Sequence, residues 1–141
     1  MNTNLGRAAL AGVVGTAVMT LVATKIAPMM GMPPMNPADM LAGFMADNAM
    51  MGWIAHFMIG IVLAGIYGSV AGKLPGPPVA RGALFALAPF LVLQVVLMPM
   101  MGLGFFSGSA SMAMGALVGH LIYGAVVGGI YGAPSAQAAA A

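Results

Sequence analysis

Long apolar stretches alternate along the chain with short segments that hold most of its prolines and nearly all of its charges. Four of these stretches are long enough to cross a hydrocarbon core of ~30 Å, which takes about 20 helical residues. They cover residues 8–27, 50–72, 82–99 and 112–132. The pattern predicts an all-α membrane protein with four transmembrane helices in a single domain, residues 1–132, followed by a loose tail at 133–141.

The segment between the first two spans carries the signature of a helix start. Asn36 suits the N-cap, Pro37 the first turn and Asp39 the positive end of a helix. The apolar face of this helix would be formed by Met40, Leu41, Phe44 and Met45. We therefore expect a short helix over 37–46 that lies in the membrane interface.

The second and fourth spans repeat one sequence. His56 opens the stretch HFMIGIVLAGIYG, His120 opens HLIYGAVVGGIYG, and the two align without a gap at a spacing of 64 residues. The first and third spans match less closely, through Arg-Ala-Ala-Leu at 7 and Arg-Gly-Ala-Leu at 81, and through Pro-Met-Met-Gly at 28 and 99. Repeats in one orientation predict two helical hairpins related by a pseudo-twofold axis along the membrane normal.

Each histidine begins a row of small residues spaced four apart. The row continues through Gly60 in the second span and through Gly124 in the fourth. Residues four apart lie on one helix face, and glycine on that face lets a neighbouring backbone approach closely. We therefore expect both imidazoles to be buried between helices at equivalent depth, with Gly60 and Gly124 as positions of close approach.

Composition supports a membrane location and excludes several functions. The chain is 62% hydrophobic and 4% charged, whereas a soluble domain has about 25% charged residues. It contains no cysteine, and no carboxylate lies inside a span, which disfavours thiolate chemistry and ion-coupled transport. No nucleophile–base pair, phosphate loop or basic patch is present, so the sequence predicts neither an enzyme nor a nucleic-acid-binding protein.

The few charges predict an orientation. Arg7, Lys73 and Arg81 fall on one side of a four-span bundle. The other side receives Lys25, Asp39 and Asp47. Because basic residues concentrate on the cytoplasmic side, both termini and the loop 73–81 are expected in the cytoplasm.

Short motifs distributed over nearly the whole chain carry a family resemblance. They are Arg-Ala-Ala-Leu-Ala-Gly near the start, Met-Gly-Met-Pro-Pro-Met at 30–35, Gly-Trp-Ile-Ala-His-Phe, Leu-Pro-Gly-Pro-Pro and Gly-His-Leu-Ile-Tyr-Gly. With these motifs the chain resembles an uncharacterised bacterial family of small four-helix membrane proteins, a domain of unknown function. The resemblance implies a bacterial inner-membrane location. It implies no activity, cofactor or catalytic residue.

The histidine pair is the main candidate for a site. Two facing imidazoles ligate the iron of a b-type haem, and the glycines would make room for the macrocycle. A histidine on a tight helix face also has a purely structural use, which is a hydrogen bond to a carbonyl, a threonine or Gln94. The sequence leaves both interpretations open, and the cofactor is unknown.

Methionine provides a second candidate. Of 16 methionines, 14 fall within 29–58 or 98–114, on the side opposite the basic residues. Thioethers favour Cu(I), and they also fill irregular gaps and make adaptable contacts. The candidate metal ligands beside the histidines are Met50, Met51, Met58, Met112 and Met114.

These features favour a small non-enzymatic protein of the inner membrane. We expect an accessory or structural subunit that docks to a larger membrane complex, such as a respiratory or other electron-transfer complex, or that associates with itself. Its partners would be the lipid bilayer and other membrane subunits. The alternatives are a haem b electron carrier that uses His56 and His120, and a copper-handling protein that uses methionine and histidine.

Overall fold

The computed structural model describes residues 3–132 as helices joined by turns, with no strand in that range. The helices are α1 (Leu5–Met29), α2 (Pro37–Ala42), α3 (Ala49–Lys73), α4 (Pro78–Met100) and α5 (Ala110–Tyr131). Four of them, all except α2, are long and apolar enough to cross a membrane. The prediction of an all-α protein with four membrane helices is confirmed. The tail predicted at 133–141 lies outside the described residues.

Polar side chains at the helix starts set where the helices begin. Asn4 accepts a hydrogen bond from the backbone N–H of Arg7, and Asn48 accepts one from Met51. Ser109 accepts one from Met112 at the start of α5. Each of these caps satisfies a backbone donor that has no partner within its own helix.

The short helix α2 starts as the sequence predicts and ends sooner. Asn36 accepts a hydrogen bond from the N–H of Ala38, but the helix stops at Ala42 rather than at residue 46. The chain then turns, and Ala46 and Asp47 adopt the positive φ angles of 53° and 59° that interrupt a helix. Ala38 and Ala42 are buried against α3. The short helix is therefore part of the helix packing.

A wide turn precedes a proline in each of two long helices. The π-helical segment Val22–Ile26 lies in α1 and Leu93–Leu97 lies in α4, 71 residues further on. Pro28 and Pro99 follow them, at the same spacing of 71. Proline has no N–H and its ring collides with the carbonyl four residues back, so widening this turn lets the helix continue. The two hairpins therefore repeat a structural feature, a π-helical turn before a proline, as well as a sequence.

Three interfaces arrange the four long helices in a row. α3 packs on α1, α1 packs on α5, and α5 packs on α4. Within residues 3–132, α3 and α4 have no comparable interface with each other. The order of packing is therefore α3–α1–α5–α4, and the bundle is open between its first and last members.

The glycine rows make the interface within each hairpin. A Cβ on Gly60 would collide with Thr16 of α1, and a Cβ on Gly124 would collide with Gly82 of α4. Gly12 meets Gly60 as Gly82 meets Gly124. Structurally equivalent residues of α1 and α4 are therefore 70 positions apart in the sequence. Arg7 and Arg81, which match in the sequence, are 74 positions apart, so that match is displaced from the structural correspondence by one helical turn.

The pseudo-twofold relation fails at one interface. An axis that exchanges α1 with α4 and α3 with α5 would make an α3–α4 interface equivalent to the one between α1 and α5. In α1, Gly15 accepts the side chains of Tyr123 and Val127 at 3.0 Å from an added Cβ. The residue that corresponds to Gly15 in α4 is Phe85. Because a benzyl group stands where the other hairpin has a hydrogen atom, α3 is held away from α4.

Candidate functional site

A cleft of about 460 Å³ fills the open side of the bundle between α3 and α4. α1 and α5 form its floor, with Thr16, Met19, Gly119 and Tyr123 among the residues that face it. Its walls include Ile59 and Leu63 of α3 and Phe85, Pro89 and Val92 of α4. The cleft therefore occupies the place where the pseudo-symmetry would have put a helix interface.

Both ends of the cleft are covered. At the end that carries Arg7 and Lys73, the rings of Tyr67 and Phe85 meet edge to face with centroids 5.5 Å apart. The hydroxyl of Tyr67 also donates to the carbonyl of Pro78 at 3.2 Å. At the opposite end the cleft is lined by residues of α2 and by apolar residues near it, namely Met35, Met40, Leu41, Phe44, Met101 and Met112.

The side of the cleft is open. Ile59 and Ile66 of α3 and Ala88 and Val92 of α4 line the cleft and are also exposed on the outside of the bundle. All four are apolar, and they belong to helices that are long and apolar enough to span a membrane. The opening is therefore bordered by apolar side chains of two helices that could each cross a membrane.

His56 is buried on the α3 wall, with 7% of its surface exposed. Its Nε2 lies 2.9 Å from Oγ1 of Thr20, whose hydroxyl donates to the carbonyl of Thr16 at 2.7 Å. A hydroxyl has one hydrogen, so Thr20 accepts from the imidazole while it donates to the carbonyl. His56 therefore carries its proton on Nε2, and its Nδ1 is the ring atom with a free lone pair.

His120 is buried on α5, with 9% of its surface exposed, and it lines the same cleft. Its Nδ1 lies 2.8 Å from the carbonyl oxygen of Ala116. A carbonyl only accepts, so Nδ1 carries the proton and Nε2 keeps a lone pair. Over residues 3–132 Nε2 forms no hydrogen bond, and it is not among the fully buried unpaired atoms, so it is accessible from the cleft that His120 lines. The phenyl ring of Phe90 lies edge to face with the imidazole, with centroids 5.8 Å apart.

Two tyrosine hydroxyls connect the hairpins behind the cleft. Tyr123 donates to the carbonyl of Gly60 at 2.6 Å, and Tyr131 donates to the carbonyl of Gly68 at 3.3 Å. Donors and acceptors are both eight residues apart, so the two bonds lie on the same faces of α5 and α3. They join two helices that have no extensive interface of their own within residues 3–132.

The two predicted histidines come together on one cavity, while the two predicted glycines serve different helix pairs. Gly60 lies against Thr16 of α1 and also lines the cleft. Gly124 lies against α4 and does not line it. The two glycine rows thus each face the first helix of their own hairpin, and they do not face each other across a central space.

The candidate methionine ligands are dispersed. Met112 lines the cleft. Met50, Met51, Met58 and Met114 are exposed on the outside of the bundle. The described residues hold no group of three or more histidine, cysteine or carboxylate side chains that could bind a metal ion.

The sequence indicated a threonine as a structural partner for a histidine, but it did not single out Tyr123 and Phe85 as parts of a site. Thr16 and Thr20 stand four residues apart on α1, which was a visible sign that they share one face with the small residues. Thr16 is buried, and its hydroxyl oxygen has no partner among the described residues. Tyr123 aligns with Ile59 in the repeat, and this departure from the repeat was the available signal for a special role.

The geometry defines a multi-pass, all-helical membrane protein with an apolar cleft that opens sideways. Residues 2–141 match a family described as a family of unknown function (DUF6789), and the chain belongs to it. This match confirms the resemblance to an uncharacterised family. No curated protein and no solved structure matches the chain.

Proposed function

We propose that the protein is a non-enzymatic membrane protein that binds a lipid-soluble small molecule in the cleft between α3 and α4. The observation that carries the proposal is the cleft itself, which has two buried imidazoles on an otherwise apolar lining. Small-molecule sites are concave, of about 300–1,000 Å³, and mostly apolar with a few convergent polar groups. A cleft of about 460 Å³ fits that description.

The size of the cleft also argues that it is occupied. An apolar space left empty deprives its lining of packing contacts, and the cleft measures about 460 Å³. Since the side opening faces lipid, either a lipid chain or a dedicated ligand fills the space. A lipid chain gains nothing from two histidines, so their burial here favours a ligand with a polar group.

The geometry favours this proposal over a bis-histidine haem site. His120 has the form of a haem ligand, because its Nδ1–H bonds a carbonyl and its Nε2 is free. His56 does not match it, because its Nε2 is bonded to Thr20. A copper site is disfavoured by the outward position of Met50, Met51, Met58 and Met114.

The distribution of charge supports an orientation for the proposed binder. Arg7, Lys73 and Arg81 lie at one end of the bundle, where basic residues favour the cytoplasm. We place the protein in the bacterial inner membrane with both termini on the cytoplasmic side. His56 then lies in the half of the membrane nearer the outer surface, and His120 lies near the middle of its helix.

Blocking the side opening is expected to displace the ligand. Ala88 lines the cleft and is exposed, so Ala88→Phe puts a ring at the opening without filling the helix interfaces. Mass spectrometry of solvent extracts from purified protein should find one lipid-soluble compound near stoichiometric amount, reduced about tenfold in the variant. A tenfold loss corresponds to about 1.4 kcal/mol of binding free energy.

The matched control is Ala17→Phe on α1. Ala17 is also an exposed alanine of a membrane-spanning helix, and it does not line the cleft. This variant should retain the compound at the level of the unmodified protein. Equal amounts in all three proteins, or only bulk phospholipid in each, would contradict the proposal.

A second function, docking to other membrane subunits or to a second copy, is favoured by the methionine-rich end of the bundle. Several large apolar side chains there are strongly exposed, namely Met29, Met30, Met50, Met100 and Phe105. Flexible thioethers at a surface adapt to varied partners. This rim lies outside the cleft, so the two functions are compatible.

Photo-reactive methionine incorporated in growing cells tests the docking function. Because 14 of 16 methionines lie within 29–58 or 98–114, the cross-links report mainly on this end. We expect one discrete cross-linked product of defined mass in native membranes. It would contain the chain joined either to one other membrane protein or to a second copy of itself. Cross-links to lipid alone would show that the rim contacts the bilayer and no protein.

A further inference from the structure

We infer that the molecule bound in the cleft is an uncharged, lipid-soluble alcohol or phenol whose hydroxyl donates to Nε2 of His120. This inference rests on the proposed function and specifies its ligand. The structure supplies three constraints on the polar group of the ligand, which come from the tautomer of His120, from the residues that line the cleft and from its volume.

The first constraint is the direction of the hydrogen bond. The carbonyl of Ala116 fixes the proton of His120 on Nδ1, so Nε2 offers a lone pair and no hydrogen. The residue is 9% exposed, and it lines the cleft. When an apolar molecule fills the cleft, an acceptor left unpaired costs about 1–3 kcal/mol, so a ligand that donates to it is selected over one that does not. A ketone, an ether or an ester offers no such donor.

The second constraint is the absence of charge. Among the described residues no lysine, arginine, aspartate or glutamate lines the cleft. An ion taken from water into such surroundings has no counter-charge, and its desolvation costs several kcal/mol. A lipid phosphate, an ammonium group or an ionised fatty acid is therefore excluded, and a neutral donor such as a hydroxyl remains.

His56, like His120, has one ring nitrogen that keeps a lone pair and can accept a hydrogen bond. Since Nε2 of His56 donates to Thr20, its free ring atom is also an acceptor. The hydroxyl of Thr16 is buried against Gly60 in the α1–α3 contact and is not presented to the cleft. The two ring acceptors suit a ligand with one hydroxyl or two.

The third constraint is size. A cleft of about 460 Å³ holds roughly 15 groups the size of a water molecule, each of which takes about 30 Å³ in the liquid. A ring with a short chain fits within the walls, and a longer chain extends through the side opening into the lipid. The expected ligand therefore has a compact hydroxylated head and an apolar tail.

A matched pair of probes tests the hydroxyl. 4-Pentylphenol carries the donor, and 4-pentylanisole replaces its hydrogen with a methyl group. With two histidines in the chain, ring-¹⁵N labelling gives two sets of imidazole signals. We expect the phenol to shift the Nε2 signal of His120 and to bind about tenfold more tightly than the anisole, the ratio for one added hydrogen bond.

Affinity is read from the emission of Trp53, the single tryptophan of the chain, whose ring centroid lies 6.4 Å from that of His56. Ala88→Phe controls for partition of the probes into the detergent and should abolish the difference between them. His120→Phe keeps the ring volume without the lone pair and should lower the affinity for the phenol to that for the anisole. The comparison of probes on the unmodified protein needs no variant.

The outcomes separate the inference from the proposed function. If both probes bind equally and Nε2 of His120 does not shift, the cleft binds ligands but does not select a hydroxyl, and the inference is overturned. If neither probe binds, the cleft is not a small-molecule site and the proposed function fails with it. Tighter binding of the anisole would show that the ring atom facing the cleft is a donor, which overturns the tautomer on which the inference depends.

Discussion

Gly124→Ala is expected to destabilise the protein, whereas Gly129→Ala on the same helix is expected to leave it unchanged or more stable. A Cβ on Gly124 would collide with the backbone of Gly82 and come within 2.6 Å of the side chain of Ala86. Backbone does not yield as a flexible side chain does, so α4 and α5 must separate. Overpacking of this kind costs typically 1–3 kcal/mol, and more where no side chain can move.

Gly129 is the matched position because its added Cβ meets its nearest neighbour, a methyl group of Val79, at an ordinary 3.6 Å. In an exposed helix, alanine is favoured over glycine by about 1 kcal/mol. Unfolding in mixed micelles of increasing denaturing-detergent content gives the free energy of unfolding for each variant. Equal stability of the two variants would show that the glycine row of α5 is not the close contact described.

The repeat provides an independent copy of this comparison. Gly60 and Gly65 of α3 stand 64 residues before Gly124 and Gly129. A Cβ on Gly60 would collide with the hydroxyl of Thr16, while a Cβ on Gly65 meets nothing within 4 Å. The same ranking is therefore expected in both hairpins, with a smaller penalty at Gly60 because a side chain takes part in the contact.

Gly15→Phe is expected to have the second large effect, which is loss of the α1–α5 interface. An added Cβ at Gly15 already lies 3.0 Å from Tyr123 and from Val127, and a benzyl group has no space there. This substitution gives α1 the residue that α4 carries at the corresponding position, Phe85. We expect a destabilisation of more than ~3 kcal/mol, beyond the usual range for overpacking.

The yield of monodisperse protein and the free energy of unfolding measure this effect. Val13→Phe serves as the control, because Val13 lies two residues away on the exposed face of α1. It should behave as the unmodified protein. A stable, well-folded Gly15→Phe protein would mean that the bulk of Phe85 is not what keeps α3 apart from α4.

The helices and the buried faces were predictable because both depend on periodic patterns. Four apolar stretches of membrane-spanning length predicted the four long helices, and glycine or alanine at every fourth residue after His56 and His120 predicted the faces that pack. Both histidines are buried on those faces. Such features are averaged over many residues, so no single substitution hides them.

The cleft was not predictable in the same way, because it depends on the replacement of glycine by phenylalanine at one position of an imperfect repeat. The sequence match of Arg7 with Arg81 placed α1 and α4 one turn out of register, which paired Gly15 with Pro89 and left Phe85 unremarked. The tautomers of the histidines depend on Thr20 and on the carbonyl of Ala116, whose positions follow only from the packed structure.

The packing order α3–α1–α5–α4 has a mechanical consequence. The helices on either side of the cleft are the two ends of the row, and each is fixed to the bundle by one long interface. A short connection joins them, with the contact of Tyr67 and Phe85 beside it. Rotation of α3 and α4 about this connection would change the distance between them at the opposite end of the cleft. The central helices α1 and α5 would keep their positions.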